Sequence, residues 1–303
     1  MPSKVKIYLL ETRPWSFSMT AISVVLAALP AALNGYFNWL MFCLVLAGMI
    51  LVHAGGNVLN DYFDVKNGID KNDSPTALYR PHFLLQGVLT LRNVLVFSII
   101  LYAIGGIIAV YLIAMRGLPV LYITLAGGFL SYSYSGKPLH YKYRALGEAA
   151  MFLMWGPLMM AGSYFVIAGT WEGVRQALWL SIPQGLWVAL VVFANNIKDS
   201  DYDRRVGIQT AGTNLTRKGA FTIFSMIAAG TYVSVVVEVL LGILPYSSLA
   251  VLVSLVPTIN LLSVMKNSEV VPADADPRTA QAGMVFGLLL IASLMLSLFL
   301  GWR

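Results

Sequence analysis

The amino-acid sequence predicts an all-α, polytopic membrane protein with nine transmembrane helices, built as two related four-helix halves plus a ninth helix. Three observations carry this expectation. Of 303 residues, 58% are hydrophobic and 11% charged, less than half the roughly 25% charged content of a soluble domain. The apolar residues fall in long uninterrupted runs, and a spanning helix takes roughly 20 such residues. An acid-rich pattern leaves the second run and recurs after the sixth, a separation of four helices. Nine spans with short connections leave no room for a large soluble domain, so residues 1–303 read as one integral-membrane domain.

The first run, 16–34, follows Lys4, Lys6, Glu11 and Arg13. It is too long for the apolar core of a signal peptide and continues directly into the second run, 40–60, so it reads as a helix of the mature protein. That second run leads into the first acidic segment, 57–73. Runs 91–115 and 118–135 are parted by a short connection holding Arg116, and runs 147–169 and 177–197 by one holding Trp171 and Arg175. The sixth run leads into the second acidic segment, 195–207. The last three runs are 219–242, 246–265 and 279–301.

Seventeen of the twenty Lys and Arg residues fall at the N-terminus or in the connections 2–3, 4–5, 6–7 and 8–9; the other side holds only Arg116, Arg175 and Arg303. This asymmetry predicts a multi-pass protein of the cell membrane, with the N-terminus and both acidic segments cytoplasmic and the C-terminus external. Trp39, Trp171, Trp179 and Trp302 then fall at the external headgroups, where the amphipathic indole is favoured. Trp155 and Trp187 lie mid-span. Because the basic residues serve topology, the net charge of +6 points to the lipid bilayer and not to nucleic acid as partner. No obligate protein partner is implied. Cys43, the sole cysteine, lies inside an apolar run; it excludes an internal disulfide or a thiolate cluster and reads as a packing residue.

Carboxylates near a bilayer are costly and call for a reason. Seven of the 14 acids lie in two segments, Asn57-Val-Leu-Asn-Asp-Tyr-Phe-Asp64-Val-Lys-Asn-Gly-Ile-Asp70-Lys-Asn-Asp73 and Asn195-Asn-Ile-Lys-Asp199-Ser-Asp-Tyr-Asp203-Arg-Arg-Val-Gly207-Ile. At about 100° per residue, Asn57, Asn60, Asp61 and Asp64 share one arc of a continued helix, as do Asn195, Asn196, Asp199 and Asp203; Asp201 faces away. Aligning Asp64 with Asp203 places Asn57 on Asn196, Asn60 on Asp199, Gly68 on Gly207 and Ile69 on Ile208, a short internal repeat. Two facing sets of carboxylate and amide oxygens suit hard Mg²⁺, which is bound jointly by a few carboxylates and by substrate phosphate oxygens. His53, His82 and His140 are scattered and read as interface or packing residues. Acids beside basic residues therefore point to a diphosphate, with Lys137, Lys142, Arg144, Lys198, Arg204 and Arg205 as candidate cations.

Asn60-Asp-Tyr-Phe-Asp64-Val-Lys-Asn-Gly68 resembles the NDxxDxxxD motif, and Asp199-Ser-Asp-Tyr-Asp203 the DxxxD motif, of the UbiA superfamily of intramembrane prenyltransferases. Gly68 stands where the motif often has its last aspartate, and Asp70 follows two residues later. That form, with Asn195-Asn-x-x-Asp199 and Gly207, is similar to the MenA branch, which prenylates 1,4-dihydroxy-2-naphthoate in menaquinone synthesis. Arg13-Pro-Trp15, Tyr132-Ser-Tyr-Ser-Gly-Lys137-Pro-Leu and Leu146-Gly-Glu148 extend the similarity over essentially the whole chain. Gln209-Thr-Ala departs from the basic residue and threonine common in that branch.

The resemblance implies ionisation of a polyprenyl diphosphate, assisted by two Mg²⁺ ions for which Mn²⁺ substitutes, and attack by an electron-rich aromatic acceptor on the resulting carbocation. It implies that Asn60, Asp61, Asp64, Asp199 and Asp203 hold the metals and that Asp64, Asp199, Asp203 and Lys137 are catalytic. Lys137, Lys198, Arg144 and Tyr134 are the expected diphosphate contacts. Asn57, Asn196, Arg13, Tyr132, Trp155 and Trp187 are the expected pocket wall, where aromatic faces stabilise a cation. Other acceptors, 4-hydroxybenzoate or a glycerol phosphate lipid, stay open. A cation-coupled transporter would place its acids near the midplane, where Glu238 is the sole candidate. A CDP-alcohol phosphotransferase would need a glycine- and arginine-containing run between its aspartates, which this sequence lacks.

Overall fold

The structure, a computed structural model, describes residues 3–268 and 270–300, apart from the side chain of Tyr79. Its named elements in this range are all helices. A short helix α1 (Lys4–Glu11) precedes a 3₁₀ turn (Pro14–Ser16) and α2 (Phe17–Leu33); α3 (Trp39–Lys66), α4 (Pro75–Tyr79), α5 (Leu91–Arg116) and α6 (Leu118–Ser133) follow. The second part holds α7 (Gly147–Leu153), a π-helical turn (Met154–Leu158), α8 (Met159–Ala168), α9 (Val174–Lys198), α10 (Ser200–Val206) and α11 (Arg217–Leu240). A 3₁₀ segment (Tyr246–Ser254) then leads into α12 (Leu255–Asn267), and α13 (Ala275–Leu300) closes the described chain.

Among the described residues, eight helical segments are long and apolar enough to cross a membrane: Pro14–Leu33, Trp39–Lys66, Leu91–Arg116, Gly147–Ala168, Val174–Lys198, Arg217–Leu240, Tyr246–Asn267 and Ala275–Leu300. These reproduce eight of the nine runs to within a few residues, and they make the protein a multi-pass membrane protein. The ninth expected span, 118–135, is the 16-residue helix α6. At 1.5 Å per residue it is about 24 Å long, short of a hydrocarbon core of about 30 Å. Trp302 and Arg303 lie outside the described residues. Cys43, expected to pack, is exposed on α3.

Local chemistry fixes where the helices begin and turn. Asn38 caps α3 by accepting from the Met41 amide at 3.1 Å, and Thr90 and Asn93 form a reciprocal capping box on α5, each satisfying amides a helix leaves orphaned. Gly117, at φ +78°, is the single residue between α5 and α6, a left-handed conformation that glycine adopts at little cost. The Gly147–Ala168 span is kinked at Gly156-Pro157, where proline removes a helix donor. A Cβ on Gly156 would stand 2.9 Å from the Ser181 carbonyl oxygen, so glycine lets this kink press against α9. α9 forms the centre of the bundle, with Leu180, Leu190 and Phe193 essentially inaccessible.

Candidate active site

α3 continues past its apolar part to Lys66, so the first acidic segment starts on a helix. Asn57, Asn60 and Asp64 face one cavity, together with His53 one turn further in. Asn60 donates from Nδ2 to Asp64 Oδ2 at 3.0 Å, while its Oδ1 accepts from Ser135 at 2.7 Å and from Lys142 at 3.0 Å. The Lys142 ammonium also donates to Asp64 Oδ2 at 2.6 Å, and the Tyr143 hydroxyl donates to Asp64 Oδ1. Burial alone would depress the Lys142 pKa, but Asp64 beside it holds the group well above its ordinary value. Burial and the neighbouring Asp64 raise that of Tyr143.

The second acidic segment bends at Asp199, between α9 and α10, and ends at Gly207 with φ +76°. Asp199 and Asp203 line the same cavity as Asp64. Tyr202 ties the two segments by donating to the Ile69 carbonyl at 2.7 Å. Asp203 accepts from Thr210 at 3.2 Å. Asp199 Oδ1 is buried without a hydrogen-bond partner; the Lys198 ammonium stands 3.7 Å away and donates to Asp276 at 3.0 Å. Burial pushes Asp199 up to about 7 and Asp203 up to about 6. Asp201 projects into solvent, paired with Arg204 at 2.7 Å.

The cavity holds about 440 Å³ and is walled by α2, α3, α5, α6, the kinked Gly147–Ala168 span and α9. Arg13, Tyr134, Trp155 and Asn196 line it. Asn57 donates to the Thr12 carbonyl at 2.9 Å and Ser16 at 3.1 Å, and Asn196 to Glu148 at 2.7 Å. His53, expected as a packing residue, also lines the cavity, because it lies on the α3 face that carries Asn57, Asn60 and Asp64. Its Nδ1 is 2.7 Å from Thr20 Oγ1, its Nε2 3.2 Å from Ser16 Oγ, and its ring meets Trp155 edge-on.

Other expected residues stand elsewhere. Asp61 is wholly buried away from the cavity, where Arg13 pairs with it and Arg80 donates to both its oxygens at 2.8 Å. Asp70 and His82 approach Asp61 closely enough to share an ion, but the two guanidiniums already supply the positive charge. Burial and the charge of Asp61 push Glu11, beside this network, up to about 7. Lys137 and Tyr132 border a separate hollow of about 220 Å³ with Phe63 and Lys66. Arg144 is exposed, with its Nη2 3.4 Å from His140 Nε2. Trp187 is buried in the core, stacked on Phe286 and donating to the Thr279 carbonyl at 3.0 Å. Arg204 donates to the Thr213 and Leu215 carbonyls, and Arg205 lies over the Tyr202 ring. Among the six candidate cations, Lys142 is the one that bridges Asn60 and Asp64. Tyr143, Asp70, Thr210 and Asp276 complete the cavity's polar head; only Asp70 carried a sequence signal, as the acid displaced from the motif.

The candidate metal ligands at this head, Asn60, Asp64, Asp199 and Asp203, all offer oxygens, and one buried carboxylate oxygen on Asp199 lacks a hydrogen-bond donor. Both facts fit a hard divalent cation.

The UbiA prenyltransferase family profile matches residues 21–270. The chain is 30% identical over 233 residues to the UbiA prenyltransferase domain-containing protein 1 of Danio rerio, covering 75% of this chain and 66% of that protein. It thus spans about two thirds or less of the length of such animal relatives. It is 26% identical over 291 residues to the 1,4-dihydroxy-2-naphthoate octaprenyltransferase of Bacillus subtilis (strain 168), covering 95% of this chain and 92% of that protein. Its fold is similar to that of a UbiA homolog from Archaeoglobus fulgidus bound to GPP and Mg²⁺, with TM-score 0.64, 16% identity and coverage of 95% and 99% of the two chains.

Proposed function

The chain belongs to the UbiA prenyltransferase family, and from that premise we propose that it transfers an isoprenyl group from a polyprenyl diphosphate to an aromatic acceptor, as a single catalytic domain of quinone, and specifically menaquinone, synthesis. The observation that supports this most directly is one cavity with two facing acid sets at its head and an apolar body behind them. The MenA-like form of the first motif and the similarity to a naphthoate prenyltransferase favour a naphthoate-type acceptor. The solved homologue with GPP and Mg²⁺ favours an isoprenyl diphosphate as donor.

Asn60, Asp64, Asp199 and Asp203 are the residues that would hold Mg²⁺. When bound, the ion supplies Lewis-acid stabilisation of the departing diphosphate. Lys142 adds a fixed positive charge at the same place, where the C1–O bond breaks and its electron pair leaves with the diphosphate. Arg13, held by Asp61, presents a second cation at the cavity wall for an anionic group of either substrate. Trp155 and Tyr134 offer aromatic faces to the allylic cation, and the apolar wall excludes water that would otherwise capture it. The acceptor ring then forms the new C–C bond and sheds a proton or its carboxyl group as it regains aromaticity.

Purified protein with geranylgeranyl diphosphate and a panel of naphthoate, hydroxybenzoate and glycerol-phosphate acceptors, read by mass spectrometry, tests this reading. Divalent-metal-dependent prenylated product with one diphosphate released per turnover is expected. Product with a glycerol phosphate alone would move the assignment to lipid synthesis. Cation flux in liposomes without any diphosphate would replace it with a transporter.

A further inference from the structure

Arg13 lines the cavity from a strained backbone. Its φ of +55° and ψ of +60° lie in the left-handed region, which contact between Cβ and carbonyl oxygen makes unfavourable for a residue with a side chain. Among the described residues, the non-glycine residues with positive φ are Arg13, His140 and Ala145, and of these Arg13 is the one that lines the cavity. Such a conformation persists only where surrounding contacts over-determine it. Asn57 donates through Nδ2 to the Thr12 carbonyl at 2.9 Å and to Ser16 Oγ at 3.1 Å, and Ser16 Oγ donates to the Arg13 carbonyl at 2.8 Å.

This clamp extends inward through His53. The single hydroxyl hydrogen of Ser16 goes to the Arg13 carbonyl, so toward His53 Nε2, 3.2 Å away, Ser16 Oγ is an acceptor and Nε2 carries a hydrogen. At the other nitrogen, the Trp155 indole donates to Thr20 Oγ1 at 2.9 Å; an indole N–H can only donate. Thr20 then gives its own hydrogen to Nδ1 at 2.7 Å. The neutral tautomer with its hydrogen on Nε2 satisfies every partner in one directed chain, from Trp155 through Thr20, His53 and Ser16 to Arg13. Edge contacts with Phe17 at 5.5 Å and Trp155 at 5.0 Å hold the ring plane. Trp155 needs this tether because it sits in the π-helical turn before Pro157, where the regular ladder is interrupted. With both ring nitrogens engaged by the protein, His53 acts on a substrate only through its neighbours.

We propose that His53 is a positioning residue: through Ser16 it braces the left-handed turn that presents Arg13, and through Thr20 it orients the Trp155 indole. One imidazole thereby aligns the cation offered to an anionic substrate group with the aromatic face offered to the allylic cation. The inference rests on the prenyl-transfer reading above. The two arms serve different stages of the reaction. Arg13 meets a charge that a substrate carries from the start, so its displacement weakens ground state and transition state alike and raises KM. Trp155 meets a charge that exists only as the C1–O bond breaks, so its misplacement lowers kcat.

The test cuts the arms one at a time. Ser16→Ala removes the Arg13 arm, and the nearly isosteric Thr20→Val removes the Trp155 arm. His53→Gln keeps a donor near the Nε2 position, and His53→Asn keeps an acceptor near Nδ1. Steady-state rates are measured with geranylgeranyl diphosphate and an acceptor that the unmodified protein prenylates, with Arg13→Gln and Trp155→Phe as references. Ser16→Ala and His53→Asn are expected to raise, by about three- to tenfold, the KM of whichever substrate Arg13→Gln affects, with kcat held. Thr20→Val and His53→Gln should instead lower kcat by about the same factor with KM held, as Trp155→Phe does. His53→Leu should show both losses, so that Gln and Asn at this position each rescue one constant, and Thr20→Val should add little to it. Identical kinetic signatures for the two arms, unchanged constants in His53→Leu, no KM effect of Arg13→Gln, or losses that merely follow a lowered melting temperature would each overturn the proposal. If the unmodified protein prenylates no acceptor, it is the prenyl-transfer reading that fails.

Discussion

Asp201 and Asp203 are two residues apart in one acidic segment, yet one side chain projects into solvent and the other lines the cavity. Asp64→Ala, Asp199→Ala and Asp203→Ala should each lower prenyl transfer by orders of magnitude, whereas Asp201→Ala, which breaks only an exposed pair worth about 0–1 kcal/mol, should retain most activity in protein that elutes normally in detergent. Equal inactivation by Asp201→Ala would remove the ligand assignment. Asn60→Ala should be milder than Asp64→Ala, since a neutral amide oxygen stabilises Mg²⁺ less than a carboxylate. Asp61 requires a different measurement. It neutralises two guanidiniums in a buried network, so Asp61→Asn should destabilise the fold by about 3–5 kcal/mol, read as a lowered melting temperature that saturating Mg²⁺ does not restore. Burial sets the pH dependence as well. With Asp199 near 7 and Asp203 near 6 against an ordinary 3.8, metal binding must displace protons below those values, so the Mg²⁺ concentration giving half-maximal rate should fall as pH rises from 5 to 8. In the metal-free protein the sign for stability is opposite. The folded state holds protons that the unfolded chain has already released, so melting temperature should decline as pH rises from about 4 to 7 and Mg²⁺ should recover it above that range. A flat Mg²⁺ requirement across that span would show that neither carboxylate carries the metal.

Helices and motifs were legible in the sequence to different depths. Apolar runs fixed the spans because length and hydropathy alone decide what crosses a bilayer, and α6 fell short because its run extends into Tyr134 and Ser135, which turn away to build the site. The helical arc groups Asn57, Asn60 and Asp64, which line the cavity, with Asp61, which does not, since an arc cannot reveal that Arg13 and Arg80 occupy its edge. Lys142 stood among six candidate cations, but that it and Tyr143 are the residues that reach Asp64 was hidden for a related reason. They reach Asp64 from a 3₁₀ turn (Tyr141–Tyr143) inside a connection whose path depends on tertiary contacts, including the Ala145 amide donating to the Gln209 carbonyl at 3.0 Å. That loop contact and its neighbour make an element-level prediction. Residues 210–213 fold back against the end of α9, and a Cβ on Gly212 would stand 2.1 Å from the Asn196 carbonyl oxygen. Backbone cannot yield as a flexible side chain can, so Gly212→Ala should cost about 1–3 kcal/mol of stability. It should also reduce turnover through displacement of Asp199, whereas Gly242→Ala, whose added Cβ meets nothing within 4 Å but must hold φ +68°, should cost about 1–2 kcal/mol of stability through backbone strain alone and leave turnover unchanged. Full activity in Gly212→Ala would mean that the end of α9 is not held by this loop.

At the scale of the molecule, the distribution of charge must agree with the placement of chemistry. The two acidic segments emerge from α3 and α9 at one end of the bundle, with Lys142 and Arg13 among them, and the same end carries seventeen of the twenty Lys and Arg residues in the sequence. Basic residues concentrate on the cytoplasmic side of membrane proteins, and a water-soluble diphosphate leaving group must be released to water at the site's own end. Both requirements are met together if the acidic end faces the cytoplasm and the Gly117 turn faces outward. Single cysteines at Asn72 and Asn214, exposed positions on the acidic end, should therefore resist an impermeant thiol reagent in intact cells on a Cys43→Ala background and react after permeabilisation. A cysteine at Tyr246, 81% exposed at the opposite end, should react without permeabilisation. If Asn72 or Asn214 labels from outside while Tyr246 does not, the whole bundle is inverted and the diphosphate would have to be supplied from the external face. If Asn72 and Asn214 label differently from each other in sealed cells, the segments that follow α3 and α9 do not lie on one face, and the placement of both acid sets at one membrane surface fails with them.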